Sequence, residues 1–433
     1  MTVQLQCGRC AASYPLDQVR YLCDCGGLLD VSHDLEALRP EVSRQLFDGR
    51  LEGVPTPHVA PTINSGVWRY RELILPVTAD RIVSRPEGNT PFYHHPRLSS
   101  WAGLDMLYLK HEGENPTGSF KDRGMTVGVT QARLLGARAV ACASTGNTSA
   151  SLAAYAALAE IPAIVFIPAG KVAAGKLAQA LAYGARTLQV AGDFDDAMRL
   201  VRHVCDELNV YLLNSLNPFR LEGQKSIVFE IVQGFRWQPP DWIVLPAGNL
   251  GNTAAFGKAL YELKQLGLID QVPRVAAVQA AGANPFYQSF QGGFRERVTV
   301  PAETVATAIR IGAPVSYERA IRTMGWTDGL VTQVSDTEIM DAKAMVDGVG
   351  IGCEPASAAA VAGVRKLVAE GTIRPDQTVV AVLTGNLLKD PAATVAYHTG
   401  EWPDAAYANR PLSVAAEMDA VRRVVEETVD SRQ

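Results

Sequence analysis

Short apolar runs alternate with longer amphipathic stretches along most of this chain. The apolar runs predict strands at residues 105–110, 139–143, 163–167, 187–190, 210–213, 243–245, 275–278 and 379–383. Stretches with helical periodicity predict helices at 148–160, 171–183, 195–209, 221–235 and 253–266. Strands that alternate with helices are typical of parallel sheets covered on both faces, and continuously apolar strands indicate burial on both sides. The pattern therefore predicts a doubly wound α/β fold.

Composition and charge narrow the functional class. The 433 residues are 47% hydrophobic and 20% charged, which is typical of a globular protein of two or three domains. A formal net charge of −5 provides no basic surface for nucleic acid or an anionic membrane. No uninterrupted apolar run approaches the roughly 20 residues that span a bilayer. The first residues lack the pattern of a secretion signal, so we expect a cytoplasmic enzyme.

The cysteines are concentrated near the N-terminus. Four of the seven form an early cluster, and the other three are isolated in apolar surroundings typical of core residues. The cluster consists of Cys7, Cys10, Cys23 and Cys25. Its first pair has the spacing of a zinc-ribbon knuckle, whereas its second pair is one residue tighter than usual. In a reducing compartment the cluster predicts a thiolate zinc site rather than disulfides, with a degenerate ribbon of free thiols as the alternative.

Lys121 occupies a predicted helix start. Residues 115–119 before it are turn and cap formers, and an apolar, helix-forming stretch begins at Met125. The partial positive charge at a helix N-terminus disfavours a second cation, so an amine there is easier to deprotonate. Such an amine is suited to form a Schiff base with an aldehyde. A surface lysine at the start of a helix is the alternative interpretation.

Two polar loops follow predicted strands, at the sheet edge where parallel α/β proteins bind ligands. In residues 144–151, seven of eight are small polar residues or glycine, more than helix capping requires. This loop predicts a carboxylate site at a helix N-terminus. Residues 246–253 place glycines at a second strand-to-helix turn and predict a phosphate cradle. The second loop matches neither a Walker loop nor GxGxxG, and a ligand-free turn is its alternative.

Two further strand ends present single side chains. Arg220 follows the strand at 210–213 and is suited to clamp a phosphate or a carboxylate. A salt-bridged surface arginine is the alternative. Thr384 follows the strand at 379–383, where its hydroxyl either faces a bound ring or simply ends the strand.

Together these segments resemble the fold type II, tryptophan-synthase-β-like family of pyridoxal-phosphate enzymes, and within it the threonine synthases. The resemblance rests on NPTGSFKDRG at 115–124, STGNTS at 144–149, NSLNPFRLEGQK at 214–225, PAGNLGN at 246–252, CEPAS at 353–357 and TGNLLKD at 384–390. The early cysteine pairs resemble the N-terminal extension of many threonine synthases. The implied fold has two doubly wound, mainly parallel-sheet domains with the active site between them, plus a small zinc-ribbon-like module.

The resemblance also implies how the chain is organised. The expected units are a cysteine-rich module (1–35), an arm with the first part of a large cofactor-binding domain (36–137), a smaller mobile α/β domain (138–225), the second part of the large domain (226–410) and a C-terminal tail (411–433). A homodimer is expected, with no nucleic-acid or membrane partner.

The cofactor implied by the resemblance is pyridoxal 5'-phosphate. Lys121 would carry it and act as the catalytic base. The other implied cofactor-binding residues are Asn147 at the phenolic oxygen, Thr384 at the pyridine nitrogen, and Gly248, Asn249, Leu250, Gly251 and Asn252 around the phosphate. A neutral threonine at the nitrogen would make the ring a milder electron sink than a carboxylate partner does.

The implied reaction converts O-phospho-L-homoserine and water to L-threonine and phosphate. Phosphate would leave from Cγ and water would add at Cβ. The implied substrate-binding residues are Ser144, Thr145 and Thr148 at the carboxylate end, with Thr148 also near the phosphate, and Ser215, Arg220 and Asn249 at the leaving phosphate.

The chain departs from the family pattern at two places. Asn386-Leu387 replaces a common His-Gly and is expected to alter the pocket wall and with it the substrate preference, and Leu250 replaces a smaller residue in the cradle. Related alternatives are a cysteate synthase, which uses phosphoserine and sulfite, and a serine or threonine dehydratase, which would leave Ser215 and Arg220 without a phosphate. A non-catalytic regulator that binds pyridoxal phosphate is the alternative from a different class.

Overall fold

The computed structural model describes residues 3–52, 65–169, 174–191, 194–402 and 404–430. Parts of three predicted segments lie outside this description: residues 53–64 of the arm, residues 171–173 of a helix and residues 431–433 of the tail. The strands are β1 (Val3–Cys7), β2 (Ser13–Tyr14), β3 (Leu29–His33), β4 (Phe92–His94), β5 (Met106–His111), β6 (Ala139–Ala143), β7 (Ala163–Pro168), β8 (Arg186–Val190), β9 (Val210–Leu212), β10 (Trp242–Pro246), β11 (Arg274–Ala280), β12 (Leu330–Val334) and β13 (Thr378–Leu383).

The helices occupy the segments between and after the strands. They are α1 (Leu35–Leu38), α2 (Arg44–Leu51), α3 (Arg71–Ile74), α4 (Pro96–Ala102), α5 (Lys121–Leu134), α6 (Asn147–Leu158), α7 (Ala174–Ala182), α8 (Phe194–Leu208), α9 (Pro218–Gly234), α10 (Gly251–Gln265), α11 (Pro285–Gln291), α12 (Tyr317–Trp326), α13 (Asp336–Asp347), α14 (Pro355–Ala369), α15 (Pro391–Thr399) and α16 (Met418–Asp430). None of these described helices is both long and apolar enough to cross a bilayer.

Two mainly parallel sheets form the body of the molecule, as predicted. The larger has the order β12-β11-β10-β13-β5-β4, with only β4 antiparallel to its neighbour, and the smaller is the parallel sheet β8-β7-β6-β9. A small antiparallel sheet, β2-β1-β3, carries the early cysteines. The predicted α/β class with an N-terminal cysteine module is confirmed.

Burial explains which strands the pattern revealed. β6 and β10 are buried along their whole length, and successive β10 residues enter separate cores on opposite faces of the sheet: Ile243 and Leu245 on one, Trp242 and Val244 on the other. By contrast, β4 and β12 were not predicted. Both lie at edges of the larger sheet, where a strand has one neighbour and needs no continuous apolar run.

Helices α5 and α9 approach each other unusually closely. A Cβ on Gly223 would lie only 1.8 Å from the carbonyl oxygen of Arg123, and a Cβ on Gly124 would lie 2.9 Å from that of Arg220. Only glycine permits such contact between helix backbones. The contact places the first turn of α5, with Lys121, against the first turn of α9, with Arg220.

A buried ion cluster holds the same region. The Arg123 guanidinium, on α5, donates to Glu112 over 2.5 Å and 2.7 Å and to Glu230, on α9, over 2.7 Å and 3.0 Å. Lys110, at the end of β5, donates to Glu230 over 2.6 Å. Arg123 and Glu112 are fully buried. Opposite charges in this low-dielectric environment tie the larger sheet, the Lys121 helix and α9 together.

A second network fastens the N-terminal sheet to the body. Glu222 on α9 bonds His33 of β3 over 2.9 Å, and Lys225 lies 2.6 Å from carboxylate oxygens of both Glu222 and Glu262. Lys258 also pairs with Glu222. Although His33, Glu222 and Glu262 are close enough to ligate one metal, the two ammonium groups already supply the positive charge. This cluster is therefore an ion-pair network.

Replacing Arg123 should destabilise the protein strongly. In Arg123→Met, the Glu112 carboxylate stays buried without its cation, so the free energy of unfolding should fall by about 3–5 kcal/mol. Chemical denaturation followed by circular dichroism measures the loss. The matched control is Arg374→Met, because the Arg374–Asp376 pair is 65% and 70% exposed and water screens it. Equal, small effects of both substitutions would contradict the role given to the cluster.

Candidate active site

A cavity opens at the carboxyl ends of the strands. It lies where β10 ends at Pro246 and β13 is followed by Thr384, the position at which parallel sheets bind ligands. The predicted site residues that line it are Lys121, Ser215, Arg220, Gly248, Asn249, Leu250, Gly251, Asn252 and Thr384. Predicted site residues from four separate chain segments thus meet around one space.

Lys121 begins α5, as the turn formers before it predicted. Its side chain is half-buried, and its ammonium lies 3.6 Å from the centre of the Phe120 ring. Burial and the nearby Arg220 guanidinium, together with Lys389, lower the pKa of Lys121 to about 7, although Glu354 acts in the opposite direction. A large fraction of this amine is therefore neutral and nucleophilic at neutral pH.

Backbone hydrogen bonds hold Lys121 beside Thr384. The Phe120 N–H donates to the carbonyl of Thr384 over 3.0 Å, and the Asn386 N–H donates to that of Gly118 over 2.9 Å. Ser119 and Gly385 form a short antiparallel bridge. The two bridging residues are far apart in the chain, yet their loops form one wall of the cavity.

Asp122 connects the loop before Lys121 to helix α6 through hydrogen bonds. Its carboxylate accepts the Thr117 N–H over 2.7 Å, the Thr117 hydroxyl over 2.5 Å and the Ser151 hydroxyl, from α6, over 2.6 Å. Burial raises the pKa of Asp122 to about 6, against the opposing effect of these hydrogen bonds. Sequence reasoning assigned it no role, because its partner Ser151 becomes visible only when α6 packs on the loop.

The phosphate cradle consists of backbone at the start of α10. Leu250 is the N-cap residue of that helix, in left-handed backbone conformation with φ of 62°, and no side chain caps the helix through it. Its own side chain is buried in the core, so only its backbone faces the cavity. A Cβ on Gly248 would lie 2.8 Å from Ile309 Cα. Helix N-terminal N–H groups without intrahelical acceptors are a ready anion site.

Arg220 points a buried charge at the same cavity. It lies in the first turn of α9, is 3% exposed and donates one hydrogen bond, over 3.2 Å, to the Leu213 carbonyl. Among the described residues no carboxylate pairs with it, and its Nε has no acceptor. Burial lowers the pKa of Arg220 to about 10. The interpretation as a salt-bridged surface arginine is therefore wrong.

Asn249 connects the cradle to the loop before α9. Its amide donates to the Ser215 hydroxyl over 3.0 Å and accepts the Val315 N–H over 2.7 Å. Three candidate phosphate-binding residues, Ser215, Arg220 and Asn249, therefore line one side of the cavity.

The carboxylate loop lies at the neighbouring strand end. Ser144, Thr145 and Thr148 are half-buried at the start of α6 and are not among the residues that line the cavity. Gly146 is the N-cap residue and offers no side-chain cap. Asn147 reaches the cavity wall indirectly, by donating to Glu354 over 3.0 Å. Ser149 and Ser151 donate to the Gly146 carbonyl and to Asp122, whereas the hydroxyls of Ser144, Thr145 and Thr148 donate to no described residue and can serve a ligand at this helix N-terminus.

Two polar residues that line the cavity were not among the predicted site residues, although both lie in segments that carry the family resemblance. Glu354 is 4% exposed and lies beside Thr384, and Gln224 is 4% exposed one helical turn after Arg220. The sequence contained a signal for each of them. Glu354 is an acid directly before a proline at a helix start, and Gln224 is a polar residue on the same helix face as Arg220. The departing pair Asn386-Leu387 is not among the described lining residues. Asn386 caps a short turn through the Leu388 N–H over 3.0 Å.

Unpaired polar atoms show that the cavity suits a polar ligand. Arg220 Nε, Gln224 Oε1 and Asn252 Oδ1 are buried and lack hydrogen-bond partners among the described residues. Buried polar groups are nearly always satisfied in folded proteins, so a ligand or water supplies the missing partners. A nucleophilic amine, a backbone anion cradle and a hydroxyl opposite it fit an aldehyde-bearing, phosphorylated ring.

Comparison with known proteins agrees with this geometry. The family model described as pyridoxal-phosphate dependent enzyme matches residues 83–385. The chain belongs to this family.

Several members of the family are similar over nearly the whole chain. A threonine synthase of Methanocaldococcus jannaschii is 43% identical over 424 residues, 98% of this chain and 99% of that protein. Threonine synthase 2, chloroplastic, of Arabidopsis thaliana is 42% identical over 97% of this chain and 83% of that protein. The crystal structure of threonine synthase from Escherichia coli has the same fold, with a TM-score of 0.69 at 18% identity over 98% of this chain and 100% of that chain. The cofactor of the family to which the chain belongs is thus pyridoxal phosphate.

The early cysteines converge as a separate cluster. Cys7 and Cys25 sulfurs lie 3.6 Å apart, those of Cys10 and Cys23 lie 3.5 Å apart, and all four fall within 4.8 Å of one another. Tetrahedral Zn–S bonds of about 2.3 Å place the sulfurs about 3.8 Å apart. The tight Cys23-x-Cys25 spacing therefore does not prevent the four thiols from converging.

The lowered pKa of Lys121 predicts when the apoprotein captures its cofactor. The rate of bond formation with pyridoxal phosphate should rise with pH and reach half its maximum near pH 7, because only the neutral amine attacks. Stopped-flow absorbance measures it. Arg220→Met should move the midpoint upward by removing a nearby cation. Lys121→Ala should abolish capture, and a wild-type midpoint near that of an ordinary lysine would contradict the prediction.

Proposed function

We propose that the protein is a threonine synthase. In this reaction O-phospho-L-homoserine and water become L-threonine and inorganic phosphate, with pyridoxal phosphate as cofactor. The relatives support the assignment by their names and by their similarity along nearly the whole chain.

The observation that carries the substrate class is Arg220. Two candidate anion-binding sets adjoin in the cavity: the backbone N–H groups at the start of α10, and the buried, carboxylate-free guanidinium of Arg220 with the side chains of Ser215 and Asn249. One cofactor phosphate can use only one of them. A buried guanidinium without a counterion is costly, so a second anion on the substrate explains the second set.

The cofactor would be held from three sides. Lys121 would carry it through its amine, the backbone of residues 248–252 would bind its phosphate, and Thr384 and Asn147 would contact its ring. When bound, pyridoxal phosphate supplies a conjugated ring that stabilises negative charge at the substrate Cα.

Lys121 would also move the protons of the reaction. Because its pKa is lowered to about 7, the amine can accept a proton from Cα and release it near the same pH. The pairing of its loop with Thr384 keeps the amine on one side of the cavity. A single base so placed serves both Cα and Cβ.

Arg220, Ser215 and Asn249 would bind the phosphate that leaves from Cγ. A guanidinium provides a planar pair of donors for phosphate oxygens, and Ser215 and Asn249 add a hydroxyl and an amide. Water then adds at Cβ. Ser144, Thr145 and Thr148 would bind the amino-acid carboxylate at the start of α6, where the helix N-terminus adds favourable electrostatics.

The function is tested by phosphate release from two substrates. Purified holoenzyme should release phosphate and form threonine from O-phospho-L-homoserine, and should leave O-phospho-L-serine with sulfite unchanged. The assignment would be refuted if no threonine formed from the first substrate, or if cysteate formed from the second. Cofactor absorbance without either reaction would point to a non-catalytic binding protein. Lys121→Ala should lose both absorbance and turnover.

Arg220→Met isolates the substrate phosphate. Its kcat/KM with O-phospho-L-homoserine should fall on the order of 100-fold or more, since losing a charged partner in a buried site costs roughly 3 kcal/mol. Arg220→Lys should recover part of the loss, because the charge returns without the planar fork. Arg374→Met is an exposed control with turnover like the parent. Unchanged kinetics in Arg220→Met would assign the phosphate elsewhere.

For the cysteine cluster, we propose a structural zinc site formed by Cys7, Cys10, Cys23 and Cys25. The converging sulfurs support it. The cytoplasmic location, the homodimer and the domain boundaries stay predictions of the sequence.

Metal analysis tests the zinc proposal. The purified protein should carry one zinc per chain by mass spectrometry, and Cys10→Ser should lose it, since a tetrahedral structural site needs all four ligands. The control Cys142→Ala removes a buried thiol of β6 and should keep the metal. Full zinc retention in Cys10→Ser would contradict the proposal.

A further inference from the structure

The side chain of Gln224 lies at the boundary between the two candidate anion-binding sets. Gln224 is on α9, one helical turn after Arg220, and it is 4% exposed and lines the cavity. A Cβ on Gly251, the first residue of α10, would lie 3.3 Å from Gln224 Oε1. A Cβ on Gly124, in the first turn of α5, would lie 3.3 Å from Gln224 Nε2. The amide therefore extends from the Lys121 helix to the backbone cradle.

This amide differs from the other buried glutamines in the described part of the chain. Gln131 and Gln279 donate to backbone carbonyls over 2.8 Å and 3.0 Å, and Gln233 donates to a carboxylate over 2.7 Å. By contrast, Gln224 Oε1 is buried without a partner, and no hydrogen bond connects its Nε2 to a described residue. A buried amide without partners costs free energy, so the Gln224 amide is suited to bind something in the cavity.

The start of α10 offers the amide a partner once an anion is bound there. The N–H groups in the first turn of a helix attract an anion, and no side chain caps this turn through Leu250. A phosphate has three strong acceptor oxygens, which leaves capacity for a side-chain donor beside the backbone N–H groups. Rotation of the terminal amide by 180° exchanges its oxygen and nitrogen without changing its shape. An anion repels the oxygen, so the nitrogen would face it.

We propose that Gln224 is a cofactor-binding residue whose amide donates a hydrogen bond to the phosphate of pyridoxal phosphate at the start of α10. This inference rests on the proposed function, which places the cofactor phosphate there. One face of α9 then serves both anions, with Arg220 at the substrate phosphate and Gln224 at the cofactor phosphate. A neutral donor at the cradle leaves the Arg220 guanidinium free for the substrate.

Comparison of pyridoxal phosphate with pyridoxal tests the assignment. Both aldehydes form the same bond with Lys121, so a change that affects only the first compound reports on its phosphate. In Gln224→Leu, the dissociation constant of the apoprotein for pyridoxal phosphate should rise about 10-fold or more, because a hydrogen bond to a charged group is lost. The dissociation constant for pyridoxal should stay at its wild-type value. Absorbance titration measures both constants.

Gln224→Met and Gln265→Leu are the control variants. Methionine keeps an unbranched side chain of similar length without a donor, so Gln224→Met should reproduce the effect of Gln224→Leu. Gln265 is exposed at the other end of α10, and Gln265→Leu should change neither dissociation constant. Circular dichroism of each apoprotein confirms that it is folded.

Three results would overturn the proposal. They are unchanged affinity for pyridoxal phosphate in both Gln224 variants, equal losses for pyridoxal and pyridoxal phosphate, and a raised KM for O-phospho-L-homoserine with unchanged cofactor affinity. The last result would assign Gln224 to the substrate phosphate. Absence of threonine formation together with the expected cofactor affinities would refute the proposed function and still support this proposal.

A crystal structure of the wild-type holoenzyme tests the contact without any substitution. Gln224 Nε2 should lie about 3 Å from an oxygen of the cofactor phosphate. A distance beyond the hydrogen-bond range of about 3.2 Å would overturn the proposal.

Discussion

The close contact between α5 and α9 is the constraint on which the rest of the site depends. Gly223 and Gly124 let the two helix backbones meet, and the fully buried Arg123 locks them through carboxylates on both sides. Because both helices start at the cavity, this contact brings Lys121 and Arg220 to one space. Burial and the Arg220 guanidinium then make the protonated form of the Lys121 amine less favourable, which makes this amine a better nucleophile at neutral pH.

The molecule treats its buried cations in two ways. Arg123, Lys110 and Lys225 are paired with carboxylates within 3 Å, and they serve to hold segments together. Arg220 has no such partner among the described residues, although it is just as buried. Because those three cations have carboxylate partners, the unpaired Arg220 indicates a place for an anionic ligand, whose binding would recover free energy lost in burying the charge.

The pattern of the chain predicted the interior better than its edges. β6 and β10 were visible because both faces of each strand are buried, while the edge strands β4 and β12 were missed. The same distinction holds in the site. Lys121 and the glycine cradle were predicted because the local sequence was sufficient in each case. Turn formers before a helix indicated the amine, and glycines after a strand indicated the cradle. Arg220 had two equal interpretations until its burial without a carboxylate removed one.

The sequence by itself determined the α/β class, the amine at a helix start, the glycine-rich and hydroxyl-rich turns and the cysteine pairs, since each depends on residues close together in the chain. Only the tertiary structure decided what surrounds them. Asp122 meets Ser151 across two helices, and Glu354 meets Asn147 and Thr384 from distant segments. These partners act through burial and hydrogen bonds between separate elements, and such contacts exist only after the sheets and helices have packed.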